Sequence, residues 1–141
     1  MRYTILPARI LFAAIFISSG IAHFTSAEMV TYAAAAGVPL AKLAVPLSGV
    51  LALAGGLSLA LGYRAKLGAW ALVAFLVPVT LAMHAFWGVS DPMMRQMQQV
   101  MFFKNVALIG GALAFAYFGA GPLSLDARRE ERLPKLARAT A

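Results

Sequence analysis

Residues 101–126 read MFFKNVALIGGALAFAYFGAGPLSLD and decide how the chain is interpreted. The run up to residue 118 is long and apolar enough to predict a membrane-spanning helix, apart from Lys104 and Asn105 near its start. A lysine at the centre of a span costs roughly 2.5–3.5 kcal/mol on insertion scales. Such a residue either extends its ammonium group to the membrane surface or faces the protein interior, so the pair marks a candidate site.

The whole chain has the composition of a small membrane domain. Of its 141 residues, 62% are hydrophobic and only 12% are charged, and the mean hydropathy is +0.81. The apolar residues form long blocks, which favour membrane spans over a water-soluble core. We predict an all-α, integral membrane four-helix bundle and a basic cytoplasmic tail over 127–141. The membrane domain, 1–126, is expected to have spans at about 5–24, 43–63, 67–87 and 100–118, with outer loops at 25–42 and 88–99.

The absence of cysteine excludes several kinds of site. The chain cannot form a disulfide, use a thiolate nucleophile, ligate an iron–sulfur cluster or attach haem through a CxxCH motif. A net charge of +7 is also common in nucleic-acid-binding proteins, but most basic residues here flank hydrophobic segments. Membrane topology explains them better, so the lipid bilayer is a predicted partner and nucleic acid is not. No metal site is predicted.

The distribution of basic residues predicts an up-down-up-down arrangement with both termini in the cytoplasm. With four spans, one side carries most of these residues: Arg2, Arg9, Arg64, Lys66, Arg128, Arg129, Arg132, Lys135 and Arg138. The other side has only Lys42 and Arg95 outside the hydrophobic cores. We therefore expect a multi-pass protein of the bacterial inner membrane. The alternative is a cleaved signal peptide, but Arg9 interrupts its start, and three spans would place the termini on opposite sides.

Helix caps and glycines add local expectations. Thr25 fits the start of a capping box, which predicts a short helix in the first outer loop. Ser90-Asp91-Pro92 fits an N-cap followed by proline, which starts the fourth helix before it enters lipid. The pairs Gly55-Gly56 and Gly110-Gly111 are expected to allow close helix packing. Arg9 is expected to reach the inner head groups.

A polar cluster is predicted at the outer end of the bundle. His23 and His84 lie near the ends of spans one and three, and Lys104 and Asn105 lie near the start of span four. If the spans alternate in direction, all four residues lie at a similar depth, and Trp87 shares a face with His84. Other interpretations stay open. Lys104 can extend to the membrane surface, Trp87 can belong to the interfacial aromatic belt, and His23 can make an inter-helix hydrogen bond.

Several short motifs resemble the DoxX family of small four-span bacterial membrane proteins. Phe103-Lys104-Asn105 with Gly110-Gly111, followed by residues 121–126, resembles its fourth span and is the most specific match. Phe16-Ile-Ser-Ser-Gly20 and His84-Ala-Phe-Trp87 resemble parts of its first and third spans. The family is described as oxidoreductase-associated. The resemblance therefore implies a membrane subunit of a quinone-linked oxidoreductase or redox-defence complex, working with a soluble or membrane oxidoreductase partner subunit.

On that interpretation the outer cluster binds a quinone, which needs apolar walls and one or two hydrogen-bond donors. Lys104, Asn105 or His84 would donate to a quinone carbonyl, and His84 would also pass a proton. Trp87 and Phe103 would flank the ring. The catalytic candidates are thus His84 and Lys104, and the cofactor-binding candidates are His84, Trp87, Phe103, Lys104, Asn105 and His23. Haem b held by His23 and His84 is the less favoured cofactor.

Two other classes of function stay open. Small-residue helix faces and a charged tail suit a non-catalytic membrane anchor, scaffold or assembly factor. A small-solute transporter is disfavoured, because the inner half of the bundle offers no polar path. Whether the chain is an enzyme at all, and whether it forms a homo-oligomer, stay open as well.

Overall fold

The computed structural model describes residues 3–131, and the regular structure within them is helical. The α-helices are α1 (Ile5–Thr25), α2 (Ala27–Ala35), α3 (Ala41–Leu61), α4 (Ala65–Met83) and α5 (Pro92–Phe118), with a 3-10 helix at Phe86–Gly88. Residues 125–131 are helical as well. The predicted tail, 127–141, is therefore described only as far as residue 131, and the rest of it lies outside the described residues.

Four segments are long and apolar enough to cross a membrane: Ile5–Thr25, Ala41–Leu61, Ala65–Gly88 and Pro92–Phe118. The 21 residues of α1 or α3 span about 32 Å at the helical rise, close to the ~30 Å of a hydrocarbon layer. The 27 residues of α5 span about 40 Å, so this helix extends beyond such a layer. The predicted all-α class with four candidate spans is confirmed.

Helices α1 and α3 approach closely because glycines lie between them. A Cβ atom on Gly20 would lie 2.8 Å from Leu53 Cβ and 2.9 Å from the Leu53 backbone nitrogen. Similarly, a Cβ atom on Gly49 would lie 2.6 Å from His23 Cβ. Only a residue without a side chain fits at these two points, so glycine sets the distance between the two backbones.

The predicted role of the two glycine pairs is confirmed at three of the four positions. Gly55 faces Leu72, and Gly56 faces α1. Gly111 faces Phe12, whose ring lies 2.6 Å from the position of an added Cβ atom. The expectation is wrong at Gly110, where no described residue outside the adjoining turns of α5 lies within 4 Å of such an atom. The two neighbours in the second pair point in different directions around α5, so only one of them can face the bundle.

We expect Gly20→Ala to lower the free energy of unfolding by about 1–3 kcal/mol, because the added methyl group overpacks a contact with the Leu53 backbone. Gly110→Ala is the matched control. It meets open space and gains helix propensity, so the free energy should stay unchanged or rise by up to about 1 kcal/mol. Unfolding by SDS titration, followed by circular dichroism, measures both. Equal losses in the two variants would contradict the packing argument.

After α5 the chain folds back over the turn between α3 and α4, and we call this region, residues 62–65 and 119–126, the turn end. The Asp126 carboxylate accepts hydrogen bonds from the backbone nitrogens of Arg64 at 2.8 Å and Ala65 at 2.9 Å. Its own backbone N–H donates to the Gly62 carbonyl at 2.8 Å. Asp126 therefore caps the start of α4, where the helix dipole favours a negative charge.

Arg9 is buried inside the turn end, with 1% of its surface exposed. Its Nη1 donates to the Ala120 carbonyl at 2.9 Å, and its Nη2 donates to the Leu123 carbonyl at 3.2 Å. Asp126 adds a favourable electrostatic interaction. The expectation that Arg9 reaches the inner head groups is wrong. The chain after α5 wraps over the guanidinium group and supplies backbone oxygens in place of lipid oxygens.

The predicted helix in the first outer loop is confirmed as α2, but its cap differs. The N-cap is Ser26, without a side-chain cap hydrogen bond, whereas Thr25 is the last residue of α1 and its hydroxyl bonds within that helix. The capping box at Thr25 is wrong, because α1 continues to this residue. The second cap is confirmed. Asp91 is the N-cap of α5 and accepts from the Met94 nitrogen at 2.7 Å, with Pro92 as the first helical residue.

Candidate functional site

A cavity of about 510 Å³ lies at the end of the bundle away from the turn end, and α1 to α5 all contribute to its wall. Most of the wall is apolar. Its polar side chains are Ser19, His23, Tyr32, Ser48, His84, Lys104 and Asn105. Tyr32 and Leu47 in the wall are 50% and 64% exposed, so the cavity is open to its surroundings. The structure thus brings together four of the six predicted site residues.

His23 enters the wall from the last turns of α1. Its Nδ1 lies 2.7 Å from the Ser19 carbonyl oxygen, one turn earlier. Its ring meets Phe75 of α4 edge to face, with 5.9 Å between the ring centroids. A carbonyl only accepts, so Nδ1 carries the proton and a neutral ring leaves Nε2 as an acceptor. This hydrogen bond lies within α1 rather than between helices.

His84 follows the last residue of α4 and joins a chain of hydrogen bonds. Its Nδ1 lies 2.7 Å from Gln98 Oε1, and Gln98 Nε2 donates to the Tyr32 hydroxyl at 3.0 Å. These bonds connect the end of α4 with α5 and α2. Because Gln98 Oε1 accepts, His84 Nδ1 carries the proton, and a neutral ring again presents Nε2 as an acceptor.

Asn105 and Lys104 provide donors on α5. Asn105 is only 5% exposed and lines the cavity, yet its side chain makes no hydrogen bond with any of residues 3–131. Its amide atoms are accessible from the cavity, because Arg9 Nε is the only fully buried side-chain nitrogen or oxygen without a partner in residues 3–131. Lys104 is exposed, and its ammonium group lies 3.5 Å from Met101 Sδ, which is a weak acceptor. Both side chains therefore have hydrogen-bonding capacity to offer a ligand.

Pro78 adds a backbone acceptor to the wall. It lies inside α4 and has no N–H, so the Ala74 carbonyl lacks its usual donor one turn later. Both residues line the cavity. The wall thus offers donors from Lys104 and Asn105 of α5 and from the Tyr32 hydroxyl of α2, and acceptors from His23, from the Ala74 carbonyl and from His84.

Trp87 and Phe103, which are predicted to flank a quinone ring, do not line the cavity. They are 61% and 55% exposed and form an aromatic cluster with Phe86 and Phe102. Helix α4 ends at Met83, so Trp87 lies in the 3-10 helix. The helical spacing that predicts a shared face for Trp87 and His84 does not apply across this break.

Ser19 and Ser48 line the cavity but are absent from the predicted cluster. For Ser19 a signal exists, because it precedes His23 by four residues and so lies on the same face of α1. No pattern in the sequence indicates that Ser48 faces the cavity. The orientation of this part of α3 is set by the contact between Gly49 and His23, which only the folded structure shows.

Comparison with known proteins decides the family. The model of the SURF4 family matches residues 2–131. The chain belongs to the SURF4 family. It is similar to the Escherichia coli inner membrane protein YqjF, with 30% identity over 86% of this chain and 88% of YqjF. It is also 27% identical to the Escherichia coli inner membrane protein YphA, over 88% of this chain and 89% of YphA.

One similar protein is much longer than this SURF4 family member. The Surfeit locus protein 4 homolog of Drosophila melanogaster is 35% identical over 72 residues, which are 50% of this chain but 27% of the Drosophila protein. The chain thus spans about a quarter of that relative's length. No solved structure matches the chain.

The resemblance to the DoxX family is wrong, because the family model that covers nearly the whole membrane domain is that of SURF4. The function drawn from that resemblance, a subunit of a quinone-linked oxidoreductase or redox-defence complex, is wrong with it. The alternative functions of an anchor, scaffold, assembly factor or transporter were part of the same interpretation, and the family assignment does not support them. Glycine pairs and paired polar residues at span ends occur in many small membrane bundles, so these motifs do not distinguish the families.

The predicted localisation is confirmed. The chain is a multi-pass inner membrane protein, as its four candidate spans and its similarity to YqjF and YphA show. The lipid bilayer is therefore its surroundings. The catalytic and cofactor-binding roles of the six site residues stay predictions, as do a quinone, with haem b less favoured, a partner subunit and a homo-oligomer.

Proposed function

We propose that this SURF4 family protein is a membrane-embedded binding protein that holds one amphipathic molecule in its cavity. The observation that carries the proposal is Asn105, a residue only 5% exposed whose amide has no hydrogen-bond partner among the described residues and opens onto a largely apolar cavity. A ligand in the cavity can supply the hydrogen bonds that the amide lacks.

The size and chemistry of the cavity support a small-molecule ligand. Binding cavities for such ligands measure about 300–1,000 Å³ and have mostly apolar walls with a few placed polar groups. This cavity measures about 510 Å³ and matches that pattern. The apolar wall suits a hydrocarbon portion, and the polar side chains of α1, α4 and α5 suit a head group. An amphipathic molecule satisfies both.

For the membrane we propose the up-down-up-down arrangement with both termini in the cytoplasm. The positive-inside distribution supports it, because Arg64, Lys66 and the basic residues after Asp126 lie at or after the turn end. In this orientation the turn end faces the cytoplasm and the cavity lies in the outer half of the bilayer. The names of YqjF and YphA place those relatives in the inner membrane, where such a ligand is available from the lipid phase.

Filling the cavity tests the proposal. Ser48 lines the cavity, and within residues 3–131 its hydroxyl bonds only to the Val45 carbonyl of its own helix, so Ser48→Leu adds volume without breaking a hydrogen bond between helices. Wild-type protein purified in mild detergent should retain an amphipathic molecule at near-equal molar ratio, detected by native mass spectrometry. We expect Ser48→Leu to reduce this occupancy by about tenfold or more, since overpacking costs about 1–3 kcal/mol.

Ser18→Leu is the matched control. Its hydroxyl also bonds to a carbonyl three residues earlier, that of Ile15, but Ser18 is exposed and lies outside the cavity wall. This variant should retain the molecule at the wild-type ratio. Equal occupancy in wild type and Ser48→Leu, at similar melting temperatures, would show that the molecule binds elsewhere and would refute the proposal.

A further inference from the structure

We propose that the ligand is an anionic amphiphile, whose carboxylate or phosphate group pairs with Lys104 while its hydrocarbon chain occupies the apolar part of the cavity. This inference rests on the proposed binding function and adds the chemical class of the ligand. It follows from the positive charge of Lys104 in the cavity wall and from the lack of an acidic residue among the described residues of that wall.

Lys104 has no counter-charge among the described residues of the cavity wall. Within residues 3–131 the wall contains neither aspartate nor glutamate. Across the same residues, the hydrogen bond of the Lys104 ammonium group goes to the thioether of Met101, at 3.5 Å. An ammonium group beside hydrocarbon is costly unless an anion or a strong acceptor compensates it. The protein does not supply that anion in the part that the structure describes, which leaves the position to a ligand.

The two carboxylates of the neighbouring segments do not serve this purpose. Asp91 accepts a hydrogen bond from the Met94 backbone as the cap of α5. Glu28 lies exposed in the first turn of α2, where the positive end of the helix dipole stabilises its negative charge. Neither residue lines the cavity. The electrostatic character of the site is therefore set by Lys104.

Asn105, the next residue of α5, adds donors to the same cavity wall. It lines the cavity, is more than nine-tenths buried and has no side-chain partner within the described chain. An ammonium group carries three N–H donors and a carboxamide carries two. Carboxylate and phosphate oxygens accept several hydrogen bonds at once and form the strongest ones with charged donors. Adjacent Lys104 and Asn105 thus match an acidic head group better than a neutral one.

The apolar part of the wall is long enough for a substantial portion of an acyl chain. The wall follows α4 from Ala74 to Met83, a length of about 14 Å at the helical rise. Its side chains there include Phe75, Leu76 and Val79, which offer no polar atoms. A free anion such as phosphate would leave this surface unoccupied, so the site favours a molecule that has both parts.

The experiment compares charged and neutral amphiphiles of matched chain length. Delipidated protein in non-ionic detergent is titrated with palmitate, with methyl palmitate, with dioleoyl phosphatidylglycerol and with dioleoyl phosphatidylcholine, and the rise in melting temperature is recorded. We expect the anionic member of at least one pair to bind about tenfold or more tightly than its neutral counterpart, the size of one charge-assisted hydrogen bond. The pair in which the anionic member gains more over its neutral counterpart identifies the head group as carboxylate or phosphate.

Two lysine variants separate site binding from general attraction to a basic protein. Lys104→Gln should abolish the preference for the anion, whereas Lys42→Gln, an exposed residue of α3 outside the wall, should retain it. Equal binding of charged and neutral members, or equal loss in both variants, would overturn this inference. The binding function would still stand if Ser48→Leu blocked all four ligands. If none of the four binds and Ser48→Leu changes nothing, the binding function fails and this inference fails with it.

Discussion

Replacing Arg9 by alanine is expected to lower the free energy of unfolding by about 3–5 kcal/mol, from the loss of two hydrogen bonds with a charged donor and the cavity that the side chain leaves. The substitution leaves the Ala120 and Leu123 carbonyl groups without their donors. It also removes the positive charge near Asp126, which caps α4. The substitution also leaves a cavity, because the Arg9 side chain is fully enclosed in the wild-type protein. Unfolding by SDS titration, followed by circular dichroism, measures the loss.

Two further variants make this prediction specific. Arg9→Lys keeps the charge but has a compact head group, so it should recover only part of the stability. Arg95→Ala is the control, because Arg95 also donates to a backbone carbonyl, that of Val89 at 2.8 Å, but does so at the surface. Its loss should stay within about 0.5 kcal/mol. A loss at Arg9→Ala no larger than that at Arg95→Ala would contradict a structural role for the buried guanidinium group.

The four spans were predictable because a single physical requirement determines them. A helix that crosses the bilayer needs about 20 apolar residues, and that signal is local in sequence. The caps show the limit of this approach. Asp91 and Pro92 have the roles that their types predict, but Thr25 does not, because α1 includes Thr25 as its last residue. Local chemistry allows several helix ends, and packing selects one of them.

Arg9 was misjudged because the positive-inside rule treats every basic residue near a span end alike. Its burial depends on residues 119–126, which are more than a hundred positions away and fold back over α1. No periodicity in either segment indicates this contact. Part of this segment, residues 121–126, is a conspicuous motif in the sequence. Its structural role at the turn end becomes apparent only from the hydrogen bonds of Asp126.

The cavity was partly predictable, for a related reason. Alternating spans bring His23, His84, Lys104 and Asn105 to one level, and the structure places all four in one wall. Helical phase extrapolated past the end of α4 misplaces Trp87, because the helix stops at Met83. The resemblance to the DoxX family was misleading for a different reason. Polar residues at one level describe a site that many bundles can build, so they carry little information about ancestry.

The second large effect is expected at Gly62, where alanine should lower the free energy of unfolding by about 2–5 kcal/mol. Gly62 ends α3 with φ +65°, a left-handed conformation that costs a residue with a side chain about 1–2 kcal/mol. An added Cβ atom would also collide with Ser124 Cβ and lie 2.7 Å from Arg9 Nη1. Overpacking of this kind costs about 1–3 kcal/mol more. The same SDS titration applies.

Gly37→Ala separates these two contributions. Gly37 has φ +80° but nothing within 4 Å of an added Cβ atom, so alanine there should cost only the backbone term of about 1–2 kcal/mol. The excess at Gly62 then measures crowding against Arg9 and Ser124. Because Arg9 is one of the colliding groups, Gly62→Ala should cost at least about 0.5 kcal/mol less in an Arg9→Ala background than in wild type. Additive losses, or equal losses at Gly37 and Gly62, would show that the turn end is not the tightly packed unit that its hydrogen bonds indicate.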